Sequence, residues 1–491
     1  MNIVSLIDSG DMAKTNSLTL EPGSHIHLVG IGGFGLSAIA RVLLGRGYRV
    51  SGSDEQMSEI TSDLKSAGAE INHGHLSEIA GTVDIVLVSS AISQDNPEVV
   101  AARVADIPVL KRSEFIGLLM ANDTGIAVAG THGKTTTTGM ISQILVQGKL
   151  DPSVIVGGVL PFLGSNGRAG SGEYFLVEAD EYDHMFLGLD PQISVITNVE
   201  YDHPDLFPTI NDYRQAFKEF ITIHRGGSLL VVGVDDQSLL ELVNDTAGQD
   251  VRIVTYGLDR GDWRALELKI NQFGGTDFVV HKSDQIFGLF RLRIPGWHNV
   301  QNALAAIAVA DSLGLDYHII REALAQFGGV NRRFQVIGEV GPVTIVDDYA
   351  HHPREIIVTL AAARQRFPGR RIWAVWQPHT YSRIKSLDQE FSSAFSDADR
   401  VIVMPIYESR ESDDLGLTGP EIVDSLDHKN ASYQPTAEST SNYILDRILP
   451  GDVVITLTAG DGNIVGKMVL SALQRRLEEG SNNGNSRWLS N

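Results

Sequence analysis

Short runs of β-branched and aliphatic residues alternate with stretches of helical period along almost the whole chain. Between residue 24 and about residue 120 the runs HIHLVGI, YRVSGSD and VDIVLVSSAI are separated by segments such as LSAIARVLLGRG. Strand, glycine turn, helix, strand is the order of a parallel βαβ sheet. A second set opens at GIAVAG and continues through YFLVEAD, ISVITNV and GSLLVVGV. Each of these runs ends in a polar or acidic cluster, at the carboxyl end of a parallel strand, where α/β folds bind ligands. From about 251 to 295 the runs RIVTYGL, ALELKI, TDFVVH and FRLRIPG predict short antiparallel strands. The stretch NVQNALAAIAVADSLG then predicts a helix stopped by Gly314. A third α/β set runs from GGVNRRFQVIGEV through VTIVDDYAHHP, RIWAVWQPH, RVIVMPIY and GDVVITLTAGDG, with helical segments such as REIIVTLAAARQRF between them.

At 491 residues the chain exceeds one hydrophobic core. The three sets predict domains over residues 1–122, 123–330 and 331–480, with a polar tail at 481–491. The 61 acidic against 39 basic residues leave a formal charge of −22, which opposes broad affinity for nucleic acid or an anionic membrane. A small anionic ligand therefore needs a locally built site. With no cysteine there is no disulfide, thiolate metal site or cysteine nucleophile. The opening MNIVSLIDSGDMAKTNS lacks the basic region and apolar length of a signal peptide, and no apolar run reaches the span of a membrane helix. A cytoplasmic protein is expected.

The densest chemistry lies in AVAGTHGKTTTTGM, residues 127–140. Gly130, Thr131, His132, Gly133, Lys134, Thr135 and Thr136 form a glycine turn between a strand and a helix, a shorter variant of the phosphate-binding loop. Backbone N–H groups close on phosphate oxygens, lysine reaches the β and γ oxygens, and the Thr135 hydroxyl can ligate Mg²⁺. Threonine is a mediocre helix former, so four in succession predict hydroxyls facing an anion and its metal. VEADEYD, with Glu178, Asp180, Glu181 and Asp183, and TNVEYDHPD, with Asn198, Asp202 and His203, end two further strands. Together with Lys134 and Thr135 they supply oxygen and imidazole ligands for a Mg²⁺ phosphate site. Earlier, VGIGGFGLSAIA places Gly30, Gly32 and Gly35 as GxGxxG, with Asp54 ending the next strand. That fingerprint fits a dinucleotide or any pyrophosphate laid on a helix N-terminus, and glycines used only for helix–strand packing would also produce it.

These strings, with PGWHNVQNALAAI, GVNRRFQ, DDYAHHP and WQPHTYSR, resemble the Mur ligases in order and over nearly all the chain. The resemblance implies an N-terminal Rossmann-like domain for a UDP-sugar, a central ATPase-type domain and a C-terminal Rossmann-like domain closing over the site. It implies that ATP phosphorylates the lactyl carboxylate of UDP-N-acetylmuramate and that the amine of L-alanine attacks the acyl phosphate. Gly30, Gly32, Gly33, Gly35, Asp54, Ser89, Ser90 and Ala91 would then hold the UDP-sugar. Thr135, Glu178 and His203 would hold Mg²⁺, and His298, Asn299, Asn302, Arg332 and Asp347 would meet ATP. Asn299 could equally cap its helix. Tyr349, His351, His352 and Arg383 would line the substrate site, with a neutral histidine relieving the ammonium of its proton. Trp297 and Thr380 stand where arginine is common in the related sequences, and Lys218 reads as a helix surface residue. A monomer or weak homodimer is expected. The alternatives are a sister ligase that attaches a preformed peptide to the same sugar nucleotide, an NAD-dependent dehydrogenase, and a non-enzymatic nucleotide-gated module.

Overall fold

Three β-sheets, each flanked by helices, follow one another along the chain in a computed structural model that describes residues 20–21, 23–77, 83–411 and 415–482. The opening 17 residues read for a signal peptide, and residues 483–491 of the expected tail, lie outside the described residues. The first sheet has β1 (His25–Val29), β2 (Arg49–Asp54), β3 (Glu70–His73), β4 (Ile85–Val88) and β5 (Val109–Lys111) in the order β3-β2-β1-β4-β5, all parallel. The order reverses beside β1, so the loops leaving β1 and β4 open a crevice at the carboxyl edge.

The second sheet has ten strands. Its parallel centre holds β12 (Arg252–Gly257), β11 (Leu229–Gly233), β10 (Ile193–Ile196), β6 (Thr124–Ala129), β9 (Tyr174–Glu178) and β7 (Ser153–Leu160), in that order. The expected antiparallel set at 251–295 is corrected at its start. RIVTYGL forms β12, parallel to β11, because the helix Gln237–Thr246 carries the chain across between them. Only β13 (Trp263–Ile270), β14 (Thr276–Lys282) and β15 (Gln285–Arg291) alternate in direction, and β8 (Ser165–Arg168) runs antiparallel to β7 at the other edge. The predicted helix after them spans Trp297–Ser312 and ends before Gly314, whose φ of 74° turns the chain away.

The third sheet orders as β16 (Gln335–Val340), β17 (Val343–Asp348), β21 (Val453–Thr458), β18 (Ile372–Gln377), β19 (Arg400–Val403) and β20 (Ala431–Tyr433), with β16 alone antiparallel.

The two joints between these units differ in chemistry. Ile39 and Leu43 of the first unit share one continuous buried cluster with Phe175, Phe186, Phe217 and Phe220 of the second. There the helix Phe34–Gly45 lies directly on β8: a Cβ on Gly167 would come 2.5 Å from the Ala38 carbonyl oxygen. Asn166 Nδ2 donates to Phe34 O at 2.8 Å, and Arg46 donates to Leu119 O at 2.8 Å and pairs with Asp123 at 2.7 Å. The third unit meets the second mainly through polar groups, with Tyr201 also packed on the third unit's core: Arg383 Nε to Asp202 at 2.8 Å, His352 Nε2 to Tyr201 O at 3.2 Å, and Arg354 to Glu200 at 3.8 Å. A dry joint is stiff, whereas one made of ion pairs can exchange its partners for water and open.

Gly167→Val is expected to lower stability by about 1–3 kcal/mol through overpacking at the dry joint, read as a fall in the urea midpoint. An unchanged midpoint would mean that the helix is not seated on β8.

Candidate active site

β6 delivers the chain to the turn Gly130–Gly133, and the helix Lys134–Gln147 starts there. Gly133 takes φ 83°, and a Cβ on it would come 2.5 Å from Asn302 Oδ1, so the turn is pressed against the helix Trp297–Ser312. The helix has no side-chain cap, which leaves its first N–H groups for a ligand. Lys134 Nζ folds back over the loop to Gly130 O (2.6 Å), Thr131 O (3.2 Å) and Glu181 Oε2 (2.7 Å). Thr131 is turned inward, its hydroxyl bonding Tyr213 and the Glu200 backbone. Of the four threonines only Thr135 and Thr136 reach the adjacent cavity. Thr137 and Thr138 are fully buried in the domain, and Thr138 donates to Lys134 O, which corrects the expectation that the whole run faces an anion.

Around this turn four carboxylates converge from two strand ends. Burial works to raise each of Glu178, Asp180 and Asp202, and the outcome depends on the partner. Arg112 beside Asp180 at 2.9 Å holds that group below the usual carboxylate range. Arg383 at 2.8 Å holds Asp202 well below it. Glu181 has Lys134 at 2.7 Å. Glu178 has neutral donors only in hydrogen-bond range among the described residues, Thr135 Oγ1 at 2.8 Å and Gly157 N at 2.6 Å, and its pKa is raised. His203, at φ 55°, points Nε2 between Glu181 and Asp202, 3.8 Å from each.

A cavity of about 650 Å³ opens between the second and third units. His132, Gly133, Thr135 and Thr136 form its floor, with His298, Asn299 and Asn302 on one wall. Asn299 Nδ2 bonds Pro295 O at 2.6 Å and its Oδ1 accepts from Asn302, so it both steadies its helix and lines the cavity. Burial, together with the Arg354 charge, presses His298 down to about 4, leaving a neutral ring. Arg332 and Asp347, expected here, are not on the wall. They pair with each other at 3.3 Å, and Arg332 also donates to Thr458 O at 2.6 Å. Their sequence neighbours Arg333 and Asp348 take the wall instead: successive residues of β17 face opposite sides, and Arg332 takes φ 61° in the turn before β16.

Tyr349 lies between the two arginines, whose guanidinium carbons sit 5.2 and 5.1 Å from its ring. The two histidines after it have separate positions. His352 is spent on structure: it caps the helix Pro353–Arg366 through Nδ1, which accepts from Arg354 N, while Nε2 meets Tyr201 O. His351 Nδ1 meets Tyr349 O at 2.9 Å, which leaves Nε2 as an acceptor, and its ring stands 5.4 Å from that of His379 near Arg383 and Asp202. Burial presses His351 down to about 4, against the pull of Glu355.

In the first unit, Gly30 leaves β1 at φ 85° and Gly33 caps the helix that carries Gly35. Asp54 Oδ2 accepts from Gly32 N at 2.8 Å, so this carboxylate fixes the glycine turn itself. Ser89, Ser90 and Ala91 follow β4 at the same sheet edge, with Ser89 N bonded to Val29 O. Lys218 is exposed on its helix.

Arg112, Arg333, Arg354 and Glu355 were not among the expected site residues. Glu355 was readable in HPRE: an N-cap residue, proline at the first helical position and glutamate at the third is a helix-start pattern that fixes the carboxylate at the loop. The arginines carry no such local signal.

Family models described as Mur ligase family, catalytic domain, Mur ligase middle domain, and Mur ligase, glutamate ligase domain match residues 25–124, 128–310 and 332–460. UDP-N-acetylmuramate–L-alanine ligase of Geobacter sp. (strain M21) is 43% identical over 458 residues, 92% of this chain and 98% of that protein. The enzyme of the same name from Syntrophus aciditrophicus is 42% identical over 92% of this chain and 94% of its own length. Among solved structures, UDP-N-acetylmuramate-alanine ligase from Thermotoga maritima is 30% identical with a TM-score of 0.77, covering 92% of this chain and 99% of that one. A murein peptide ligase from Psychrobacter arcticus is 25% identical with a TM-score of 0.69 over the same shares.

His132 provides a pH signature. Burial disfavours its charge, yet Glu200 and Glu355 raise it from 6.5 to about 9. Its share of stability is therefore complete below pH 6.5 and is lost as pH rises through about 9. The gap in urea midpoint between wild type and His132→Asn is expected to shrink over that window, and a pH-independent gap would remove the buried imidazolium.

Proposed function

The chain belongs to the Mur ligase family, and from that premise we propose that it joins L-alanine to the lactyl carboxylate of UDP-N-acetylmuramate using ATP. This is an ADP-forming ligation in peptidoglycan precursor synthesis. The observation that carries it is one interdomain cavity with the phosphate loop on one side and Arg333, Asp348, Arg354 and Glu355 of the third unit on the other. The dehydrogenase reading leaves that cleft without a task.

The triphosphate lies in the cavity, with its phosphates over Gly130, His132, Gly133, Thr135 and Thr136 at the uncapped helix start. Asn299, Asn302 and the neutral His298 line its path. A carboxylate oxygen of the sugar attacks the γ-phosphorus, the bond to the β–γ bridging oxygen breaks, and ADP leaves. Both reactants are anions, so the barrier is largely electrostatic, and Lys134 supplies a cation at the rim of the loop. His351 Nε2 takes a proton from the ammonium of L-alanine, the freed amine nitrogen attacks the carbonyl carbon, phosphate departs, and the nitrogen's remaining surplus proton leaves with the phosphate. His351, neutral with Nε2 free to accept, orients that amine. Arg383, held by Asp202, contacts His379, whose ring stands 5.4 Å from that of His351. His352 serves by fixing the loop that carries His351.

Mg²⁺ fits the donor set. Glu178 is the carboxylate of the cluster without a cation beside it, Thr135 Oγ1 lies 2.8 Å from it, and His203 faces the same cluster. Those three would hold the ion, which neutralises charge on the β and γ oxygens when bound. Gly30, Gly32, Gly33, Gly35, Ser89, Ser90 and Ala91 form the carboxyl edge of the first sheet, where the UDP group would lie, and Asp54 orders that turn. Arg332 and Asp347 support the wall formed by Arg333 and Asp348.

No helix of the described residues is long and apolar enough to cross a membrane. Soluble substrates and a site built from one chain suit a cytoplasmic monomer or weak homodimer, and the charge of −22 disfavours nucleic acid.

Incubation with ATP, Mg²⁺ and UDP-N-acetylmuramate is expected to release phosphate when L-alanine is added. Release with a preformed peptide but none with L-alanine would instead favour the sister ligase. Lys134→Ala is expected to lower kcat by about 10²–10³-fold or more while UDP-sugar affinity stays near wild type, read by turnover and calorimetry. Turnover at the wild-type rate would remove the loop from the mechanism.

A further inference from the structure

His132 is the side chain of the phosphate loop that touches both the second and third units. Its backbone is fixed by its own domain: N donates to Asn198 Oδ1 at 3.0 Å, and O accepts from Thr197 Oγ1 at 2.6 Å. Its ring lies between two carboxylates of different origin. Nε2 is 3.3 Å from Glu200, which follows β10, and Nδ1 is 3.5 Å from Glu355, in the first turn of the third unit's helix Pro353–Arg366. The His352 ring packs 4.7 Å away.

We propose that His132 is a positioning residue that couples closure of the third domain to the phosphate loop, by pairing with Glu355 only when that domain is closed while Glu200 holds it from its own side. This rests on the reading of the adjoining cavity as the ATP site.

The argument is geometric. Gly133 follows His132 directly, and the helix whose N–H groups face the cavity starts one residue later. A force on the imidazole is therefore applied one residue from the phosphate cradle. In an open arrangement Glu355 leaves with its helix, and Glu200 alone remains. On closure the second carboxylate arrives, and each ring nitrogen lies within ion-pair distance of a carboxylate. The other groups facing the cluster are Arg354, 3.8 Å from Glu200, Arg333, 3.6 Å from Glu355, and the ring of His352. Both arginines belong to the third unit, so they arrive with Glu355 and prevent an excess of negative charge at the closed joint. His132, Glu200 and His352 also place one potential metal ligand each within 4.8 Å of one another. Both nitrogens of His352 already have partners, Arg354 N and Tyr201 O, so a metal would have to break the cap that holds this loop.

The test is a double-mutant cycle on the full chain with His132→Asn, Glu355→Gln and the pair. Glutamine keeps the oxygen that accepts from His351 N and His352 N, so the helix start survives. Each single variant is expected to raise KM for ATP about 10-fold with kcat changed less than about 3-fold, and the pair to match the singles. Scattering with a non-hydrolysable ATP analogue and UDP-N-acetylmuramate is expected to show less compaction in both singles than in the wild type. Multiplying effects of about 100-fold in the pair, a wild-type KM in Glu355→Gln, or wild-type compaction in both singles would each overturn the coupling. Should His132→Asn fail to fold, His132→Gln completes the same cycle. Calorimetry of the wild type separates the two levels: absence of nucleotide uptake defeats the ATP site itself, whereas uptake with a multiplying cycle defeats only the role of His132.

Discussion

Negative charge gathered beside the phosphate loop is the constraint around which the three units are arranged. Glu178, Asp180, Glu181 and Asp202 would repel one another strongly in a partly dry cleft unless cations stood among them. Those cations come from three different places. Lys134 belongs to the loop, Arg112 to the first unit and Arg383 to the third. Each pairing settles a charge, and those of Arg112 and Arg383 also attach a domain at the same point. The attachments are not equal in strength. Asp202 and Arg383 are 6% and 3% exposed, so loss of one partner would strand a buried charge, a cost of about 3–5 kcal/mol. Asp180 and Arg112 are 32% and 21% exposed, and water screens their pair. The first unit does not depend on its ion pair, because the dry contact of Gly167 with Ala38 already holds it.

This division explains how one chain can be both rigid and able to close. A continuous apolar cluster holds the carboxyl edge of the first sheet in register with the loop. In the proposed reaction the third unit would admit two substrates and then exclude water; the exposed Arg354–Glu200 pair exchanges for water at little net cost, while the buried Arg383–Asp202 pair holds the joint shut. His132, Asp202 and Glu200 all lie on the fixed side of that joint, and Glu355, Arg383 and Arg354 lie on the moving side. Closure therefore completes the electrostatics of the cleft as well as its shape.

Much of this was legible in the chain. Strands, turns and the carboxyl-end location of the chemistry follow from period and punctuation, so the glycine turns, the acidic strand ends and the DDYAHHP loop fall where the pattern puts them. What the pattern could not decide was orientation between like neighbours. NRRF and VDDY each present two adjacent residues of one type; strand alternation separates the two aspartates, and a turn with Arg332 at φ 61° separates the two arginines. Likewise the pair His351–His352 divides into an acceptor and a cap, and Pro353 and Glu355 decide which is which. Arg112 was unreadable because its partner Asp180 lies 68 residues on, in another sheet.

The four threonines show two different reasons for one composition. Thr135 and Thr136 serve the cavity, but Thr137 and Thr138 contribute no hydroxyl to it. They are tolerated because every position from Thr135 to Leu145 is buried, so packing on all sides, with no need of intrinsic propensity, holds this helix together. A β-branched side chain that is stiff at χ1 has little rotamer freedom left to lose on burial. Chemistry fixes the first half of the run, and the density of the interior permits the second.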